Sequence, residues 1–300
     1  MARDGDSIGG FEKADGAAPA MQAPRAVPGY GVRRFGAVNW LGLATLYRRE
    51  VRRFLKVSFQ TVLAPVVSSL LFLIVFKFAI GDGRPPVGGV PYLAFLAPGL
   101  VMMAMLNNAF ANSSSSILIS KVQGAIVDTL MPPLSPSELA AGYVAGAATR
   151  GVVVGAATAL AMIPFMIAEP FDRNLQIWAI LYFSLGASVM LGAVGVLAGI
   201  WSEKFDQLAA ISNFLITPMA FLSGSFYSIR ELHAQGRLPE IIYDISQWNP
   251  FFYMIDGFRY GFTGASDAPV WRAAAVVFGL NIALLAACQR LIKSGYKLKA

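Results

Sequence analysis

The side chains that most often carry out covalent or metal chemistry are scarce in this chain. It has one histidine, His233, and one cysteine, Cys288, so neither a zinc site nor a Cys/His nucleophile pair is expected. A phosphate-binding loop of the form GxxxxGK[ST] does not occur, and we therefore expect no nucleotide hydrolysis by this chain alone. His233 lies in a polar stretch, where a solvated side chain is expected. The pattern indicates a protein that is not an enzyme.

One charged residue, Arg150, lies inside a long apolar segment, 12 positions after Glu138. If this segment crosses a membrane, placing a lone cation in it raises the free energy of insertion by a few kcal/mol. Such a side chain therefore needs a polar partner or must extend to the membrane surface. Two interpretations stay open. Arg150 contacts an anionic substrate group or an acid such as Glu203 or Asp206, or the span begins late and Arg150 reaches the phosphates of inner-leaflet lipids.

The composition indicates an integral membrane protein. Of 300 residues, 56% are hydrophobic and only 14% are charged, and the mean hydropathy is +0.58. A soluble domain carries about 25% charged residues. The net charge of +7 flanks the apolar segments, which indicates membrane topology and argues against a nucleic-acid partner. The apolar segments also lack the chains of acids or histidines expected of a proton-coupled carrier.

The N-terminal region changes character near residue 36. Residues 1–35 show no apolar period and no signal-peptide core, so a disordered tail is predicted. An amphipathic helix at the membrane interface follows, with an apolar face formed by Trp40, Leu43, Ala44, Tyr47, Val51, Phe54 and Leu55. Its other face carries Arg48, Arg49, Arg52, Arg53 and Lys56. These cations are expected to meet anionic lipid, although a solvated basic face is the alternative.

About six apolar segments are long enough to cross roughly 30 Å of hydrocarbon. They are predicted at 57–76, 92–111, 138–168, 175–201, 208–227 and 270–291. Pro65 is expected to kink the first of them. Lys and Arg cluster before the first span and after the last, which places both termini in the cytoplasm. Glycines four residues apart are interpreted as packing positions, namely Gly142 and Gly146, Gly151 and Gly155, and Gly195 and Gly199.

The connector between the second and third spans, residues 112–143, is the longest one predicted on the cytoplasmic side. Ser113–Ser116 are expected to end the second span, because serine hydroxyls offer the backbone alternative hydrogen bonds. Ile119, Val122, Ile126 and Leu130 then recur at helical spacing, and a short amphipathic helix is predicted from Lys121 to Met131. Three prolines after it stiffen the connector. Such a helix could receive force from a partner, or the connector could be an ordinary loop.

The stretch 228–268 is too polar for another span and too apolar for a solvated loop. Its short apolar runs, 241–245 and 248–255, are typical of re-entrant or interfacial helices. A small folded extracytoplasmic lid is the alternative. The predicted fold class is therefore an all-α polytopic membrane protein with about six transmembrane helices. It has an N-terminal amphipathic interface helix and re-entrant or extracytoplasmic helices before the last span.

The order of these parts resembles the ABC-2 type permeases, the membrane subunits of ATP-binding-cassette exporters. The resemblance is more specific in one region, where the chain contains a pattern similar to the family's LSG…LP…NPxxY…R signature. The matching positions are Leu222, Ser223, Gly224, Leu238, Pro239, Asn249, Pro250, Tyr253 and Arg259. The segment 97–102 and residues 107–112 also resemble the family's second span. The resemblance covers about residues 36–300, which would form one ABC-2 type transmembrane domain.

The resemblance implies a specific mode of action. Two such subunits, identical or related, would form the export pathway in a bacterial inner membrane, and separate ABC ATPase subunits would bind ATP and Mg. The helix between spans two and three would be the coupling helix seated on the ATPase, through Lys121, Val122, Ile126, Val127, Leu130 and Met131. Gln123 and Asp128 would lie at the rim. The arginines of the interface helix would brace that contact. This chain would bind no cofactor itself.

A stand-alone channel or ion-coupled carrier is the competing hypothesis from another class. It requires function without an ATPase, and the missing intramembrane carboxylates argue against it. A membrane-bound enzyme is a third hypothesis, disfavoured by the missing nucleophile and metal residues. The residues do not indicate the substrate or the choice between homodimer and heterodimer.

Overall fold

The computed structural model describes residues 36, 38–80, 86–167 and 175–298, so the predicted disordered tail, 1–35, lies outside the described residues. From Val38 onward the described chain forms one compact unit. Within it the α-helices are α1 (Trp40–Leu55), α2 (Ala64–Ile80), α3 (Tyr92–Val122), α4 (Ile126–Leu130), α5 (Pro136–Ile167), α6 (Ile177–Trp201), α7 (Phe205–Ile211), α8 (Thr217–Phe221), α9 (Ile229–Ala234), α10 (Glu240–Trp248), α11 (Pro250–Thr263) and α12 (Val270–Ser294).

The all-helical fold class is confirmed, and the described residues contain no strand beyond one isolated bridge between Val87 and Val90. Five helical stretches in this part of the chain are long and apolar enough to cross a membrane: Phe59–Ala79, Tyr92–Val122, Pro136–Phe165, Ile177–Trp201 and Val270–Ser294. They correspond to five of the six predicted spans. The short helices α9, α10 and α11 occupy the stretch that was predicted to be re-entrant or extracytoplasmic.

The predicted fifth span, 208–227, is not one long helix. It consists of α7, a π-helical turn at Ser212–Ile216, and α8. Together these measure about 26 Å along the axis, less than the hydrocarbon thickness. Pro218 explains the π turn, because its ring clashes with the carbonyl of residue 214 and it donates no hydrogen bond. A second π turn, Phe59–Leu63, precedes Pro65 in the first span, where a kink was predicted.

Helix α3 is the centre of the bundle, with α5 and α6 as its main neighbours. The small-residue pattern explains how closely these helices approach. A Cβ added at Gly199 would come within 2.9 Å of the carbonyl oxygen of Ser114, and one at Gly195 within 2.6 Å of that of Phe110. The predicted packing role of these glycines is therefore confirmed.

Helix α3 continues well past the predicted end of the second span. Ser113–Ser116 do not end it, because their hydroxyls find acceptors without breaking the helix. Ser114 Oγ donates to the carbonyl of Phe110 at 2.7 Å, one turn back, and Ser113 Oγ donates to the carbonyl of Gly192 on α6 at 2.7 Å. The helix therefore reaches Val122 and extends about 46 Å.

Helix α1 lies against the N-terminal half of α5. Leu46 and Glu50 on α1 face Gly142 and Gly146, where added Cβ atoms would each come within 2.5 Å of their side chains. The buried face of α1 is Leu46, Glu50 and Phe54, whereas Trp40 is largely exposed. Of the predicted apolar face, Phe54 therefore packs inside the protein, whereas Trp40 is exposed on its surface.

Helices α2 and α12 lie at the periphery, and only about a tenth of each candidate span is buried. Their outer faces carry exposed apolar side chains: Val67, Leu71, Phe72, Val75 and Phe78 on α2, and Trp271, Phe278 and Ile282 on α12. Such faces suit contact with lipid acyl chains or with a second membrane subunit.

Candidate functional site

The loop between α3 and α5, residues 123–135, is organised differently from the single helix predicted over Lys121–Met131. Lys121 and Val122 form the last turn of α3, and Gly124 then adopts a left-handed conformation with φ +69°. The five-residue helix α4 begins only at Ile126. The left-handed glycine is a helix terminator, since it satisfies the last carbonyls of α3 and turns the chain.

This break divides the predicted apolar stripe between two environments. Ile126 is 6% exposed and packs against Leu46, Ile117 and Leu139, so it belongs to the protein's own core. Leu134 is partly buried against the same cluster. Four other apolar side chains at the end of α3 and on the loop are exposed, and Met131 is 76% exposed. The exposed set is Val122, Val127, Leu130 and Met131. We call these four residues the apolar loop surface.

The N-terminus of α1 holds this loop in place. Asn39 Oδ1 accepts the N–H of Gly42 and caps α1, while Asn39 Nδ2 donates to the carbonyl of Pro133 at 3.2 Å. Glu138 joins both segments, because one carboxylate oxygen accepts the N–H of Asn39 and the other that of Ser135, each at 2.6 Å. The start of α1, the loop and the start of α5 are therefore one hydrogen-bonded unit.

The four arginines predicted for the interface helix divide into two pairs. Arg49 donates to Thr129 Oγ1 at 2.9 Å and to the Tyr143 hydroxyl at 3.1 Å, and Arg53 donates to the carbonyl of Asn112 at 2.5 Å. Arg48 and Arg52 are exposed. Arg49 and Arg53 therefore brace α1 against α3, α4 and α5, whereas the side chains of Arg48 and Arg52 have no such partner among the described residues.

Glu50 is the centre of this bracing and was not among the predicted site residues. It is fully buried, accepts from Ser116 Oγ at 2.8 Å, and lies 3.2 Å from Arg49 and 3.4 Å from Arg53. A buried carboxylate needs such partners to offset its desolvation. The signal was present in the sequence, since Glu50 is the one acid among the basic residues of α1.

The C-terminal end of α6 is held by two lysines. Lys121 Nζ donates to the carbonyls of Ile200 and Ser202 at 2.6 and 2.7 Å, and Lys297 Nζ donates to the carbonyl of Trp201 at 3.2 Å. Lys297 also pairs with Glu203 at 2.7 Å, which lowers the pKa of Glu203 and raises that of Lys297. Cations at a helix C-terminus satisfy its unpaired carbonyls and its dipole.

The residue after Lys297 completes this end of the bundle. Leu298 is buried and packs in the same cluster as Ile126, Leu139 and Tyr143. The last described residues therefore form part of the support beneath α4. We call the end of the bundle that contains α1, α4 and Leu298 the α1 end.

The signature residues meet at the opposite end, around the first turns of α3. Arg259 on α11 is 3% exposed, donates to the carbonyl of Gly224 at 2.7 Å, and lies 3.7 Å from the ring centroid of Phe95. Asn249 caps α11 by accepting the N–H of Phe251, and its amide donates to the carbonyl of Met219 at 2.6 Å. The LSG turn, the Asn-Pro helix start and the arginine are thus bonded together.

The other signature residues support the same junction. Gly224 has φ +72°, a conformation that glycine adopts readily. Ser223 Oγ donates to the carbonyl of Ala220, and the carbonyl of Leu222 accepts from Ser246 Oγ at 3.2 Å. Leu238 packs against the core, Pro239 precedes α10, Pro250 is the first residue of α11, and the Tyr253 hydroxyl donates to the carbonyl of Gln247 at 2.9 Å. These contacts are structural, and they hold the short helices against α3.

Arg150 lies on α5 and faces α3. Its Nη2 donates to Asn108 Oδ1 at 3.0 Å, while its Nε is buried without an acceptor. Among the described residues it makes no ion pair with Glu203 or Asp206. Arg150 is partly exposed, so one amide partner replaces the acid that the sequence suggested.

The groups considered for covalent or metal chemistry are placed apart. Cys288 is buried in α12 and donates to the carbonyl of Ala193 at 3.3 Å, and exposed His233 stacks on Tyr243 with 4.0 Å between ring centroids. The described residues contain no group of three or more His, Cys, Asp or Glu side chains placed to hold a metal ion.

Residues 42–263 match the ABC-2 type transporter family, and this range runs from α1 through α11. The chain belongs to the ABC-2 type transporter family. It is 33% identical over 261 residues to the inner membrane transport permease YadH of Escherichia coli K12, a match that covers 87% of this chain and 98% of that relative. It is also 23% identical over 238 residues to nodulation protein J of Sinorhizobium fredii, covering 76% of this chain and 84% of the relative.

The ABC-2 match includes both ends of the bundle described above. It contains α1, the α3–α5 loop and the whole signature junction, and it ends before α12. The resemblance seen in the signature residues is thereby confirmed at the level of the family. The predicted functional roles of individual residues stay predictions.

Proposed function

We propose that this chain is the membrane-spanning permease subunit of an ABC exporter and works with separate ATPase subunits. Its ABC-2 family and its similarity to an inner membrane transport permease support transport across a bacterial inner membrane. In this proposal both termini are cytoplasmic and the α1 end faces the cytoplasm. ATP and Mg are bound by the ATPase partners, and this chain carries no cofactor.

The observation that carries the proposal is the apolar loop surface. Three of its residues, Val127, Leu130 and Met131, lie on the short connector between α3 and α5, and Val122 is the last residue of α3. Pro132 and Pro133 on the connector are also exposed. Exposed apolar groups clustered outside the spans mark a protein contact. The connector is also fixed to α1 through Asn39, Glu138 and Arg49, so displacement of one segment is transmitted to the others.

The translocation pathway is proposed to follow an open stripe on α3. Between Tyr92 and Leu118 every residue is buried except Met103, Asn107, Ala111 and Ser115, which are spaced four apart and therefore lie on one face. A partly polar stripe along the most buried helix suits a pathway wall. A second permease subunit, identical or related, would supply the facing wall.

Substitution on the α3–α5 loop tests the proposed contact with an ATPase. The double variant Val127→Asp with Met131→Asp places charge on exposed side chains, so insertion and folding should be retained. Interface anchors contribute about 1–4 kcal/mol each when truncated. We therefore expect the cognate ATPase to be lost when the complex is co-purified, and ATP-dependent transport in proteoliposomes to fall with it.

Gln123→Ala with Asp128→Ala is the matched control, because both residues are polar and exposed on the same loop. It should retain the ATPase. Ile126→Asp should instead lower the yield of folded subunit, since Ile126 belongs to the core. Normal ATPase retention and transport in the Val127/Met131 double variant would contradict the coupling role.

A further inference from the structure

A basic groove lies between α1 and the C-terminal end of α3. It has a volume of about 760 Å³, within the range of small-ligand pockets. Five cationic side chains line it against one carboxylate, that of Glu50. The wall formed by α3 contributes Ser116, Ile119, Ser120 and Gln123.

The cations of the groove form two rows along α1, and only one row is neutralised. Arg49 and Arg53 are four residues apart and share Glu50, with further acceptors on α3, α4 and α5. Arg48, Arg52 and Lys56 form a second row at the same spacing. Each of these three side chains is exposed, and none of them makes a hydrogen bond or ion pair with another described residue. We call them the open basic row.

The positive charges of the open basic row repel one another, whereas those of Arg49 and Arg53 are offset by Glu50. Residues four apart on a helix are adjacent, so like charges at that spacing destabilise it. Glu50 is already paired with Arg49 and Arg53, and it is buried on the inner face of α1. An external anion in the groove would relieve the repulsion, and guanidinium groups bind phosphate oxygens through paired hydrogen bonds.

Apolar surface begins where the open basic row ends. Leu55, Val57 and Phe59 flank Lys56 and are exposed, and Phe59 starts the first span. The outer face of α2 continues that apolar surface. A ligand with an anionic head and apolar chains would therefore place its head on the cations and its chains along α2, which distinguishes it from a soluble anion.

From this arrangement we propose that the groove is a binding site for the phosphate headgroup of an anionic membrane lipid, with the open basic row holding the phosphate. The site is distinct from the apolar loop surface and requires no ATPase. Its occupant neutralises α1 on its outer side, as Glu50 does on its inner side.

The test measures lipid binding to the purified full chain without an ATPase. Protein in a neutral detergent is titrated with short-chain phosphatidylglycerol, and the bound lipid is counted by native mass spectrometry. We compare Arg48→Gln with Arg52→Gln against a control double variant, Arg290→Gln with Lys293→Gln. Both control residues are exposed at the C-terminal end of α12, so each double variant removes two charges from the same end of the bundle.

The groove variant should bind phosphatidylglycerol about tenfold more weakly or worse, because each basic residue adds substantially to attraction of an anionic headgroup. The control should stay within about twofold of the wild type, as expected for a diffuse surface charge. Equal losses in both double variants, or no loss in either, would overturn the site. The α1 substitutions are exposed, so circular dichroism should show an unchanged helix content.

Glycerol 3-phosphate separates the two sources of phosphate. It has the same headgroup chemistry without acyl chains, and at equal concentration it should give no measurable binding. If it binds the wild type as well as the lipid does and is lost in the groove variant, the groove is a soluble-phosphate site and the lipid assignment is wrong.

Discussion

Arg259 shows how one side chain joins separate segments of the signature region. Its guanidinium bonds the Gly224 carbonyl and covers the Phe95 ring, so the LSG turn, α11 and α3 meet on one group. One turn earlier, Asp256 accepts the N–H groups of Asp267 and Ala268 at 2.9 Å and fixes the end of the connector that leads into α12. Both side chains thus connect separate segments of the chain to one another.

Arg259→Lys keeps the charge and removes the planar donor group. The lysine ammonium cannot reproduce both the bond to Gly224 and the stacking on Phe95. Losing a buried hydrogen bond from a charged donor costs about 1.5–3 kcal/mol. We expect a lower apparent melting temperature in detergent, followed by size-exclusion chromatography after heating. Arg272→Lys, on an exposed residue, should melt like the wild type.

At the scale of elements, the contact between α1 and α5 depends on missing side chains. Gly142 and Gly146 lie directly beneath Leu46 and Glu50, and they let the two helix backbones come close. This close approach is what brings Glu50 within reach of Ser116 on α3. The position of α1 is therefore set by α5 as well as by the membrane.

Gly146→Ala should displace α1. The new methyl group would lie 2.5 Å from Glu50 Cβ, which is not the flexible end of a side chain. Overpacking of this kind costs about 1–3 kcal/mol, so we expect a lower melting temperature and faster proteolysis within residues 38–56. Gly279→Ala is the control, because nothing lies within 4 Å of a Cβ there. Equal behaviour of the two variants would contradict the packing role of Gly146.

The residues after α12 give a second test at this scale. Leu298→Ser removes an apolar side chain that packs beside Ile126. The support beneath α4 should loosen, so a cysteine at Ile126 should react faster with a water-soluble maleimide than it does with Leu298 intact. A cysteine at exposed Val127 should react equally fast in both backgrounds. An unchanged rate at position 126 would show that Leu298 does not support α4.

At the scale of the whole molecule, burial is concentrated on one helix. Nearly all of the candidate span on α3 is buried, whereas α2 and α12 present most of their surface outward. The bundle thus has α3 at its centre, with the long helices α5 and α6 packed against it. The apolar outer faces of the peripheral helices are suited to contact lipid or a second subunit.

The purified subunit should show no ATP hydrolysis above a mock preparation, because the chain contains no phosphate-binding loop. Transport in proteoliposomes should require the cognate ATPase and ATP. Transport by the subunit alone down an ion gradient would instead favour an ion-coupled carrier. A catalytically inactive ATPase serves as the control for contaminating activity.

The predictable part of this fold is the part that hydropathy and small residues determine. The lengths of the apolar segments predicted the positions of five spans, and the spacing of the glycines indicated where helices pack closely together. The inner face of α1 could not be read from hydrophobicity, because in a membrane protein apolar side chains face lipid as readily as they face the core. Trp40 and Leu46 both have large side chains that can be buried, yet only Leu46 is buried in the protein.

The break in the α3–α5 loop did have a local signal. Gly124 follows a helical run, and glycine after the last helical residue is a common terminator. Pro218 likewise indicated the irregular fifth segment. The partner of Arg150 had no such signal, since the choice of Asn108 over an acid depends on how α3 and α5 are aligned along their axes.

The lengths of α3 and α5 have a mechanical consequence. Each helix measures about 46–48 Å, so it extends well beyond a hydrocarbon layer of about 30 Å. A rigid rod of that length that pivots about its middle by about 10° moves its tip by about 4 Å. Because the α3–α5 loop joins the tips of both helices, such a pivot would move the loop together with the start of α1 that is bonded to it. A small change in tilt at the membrane centre then becomes a displacement of several ångströms at the apolar loop surface.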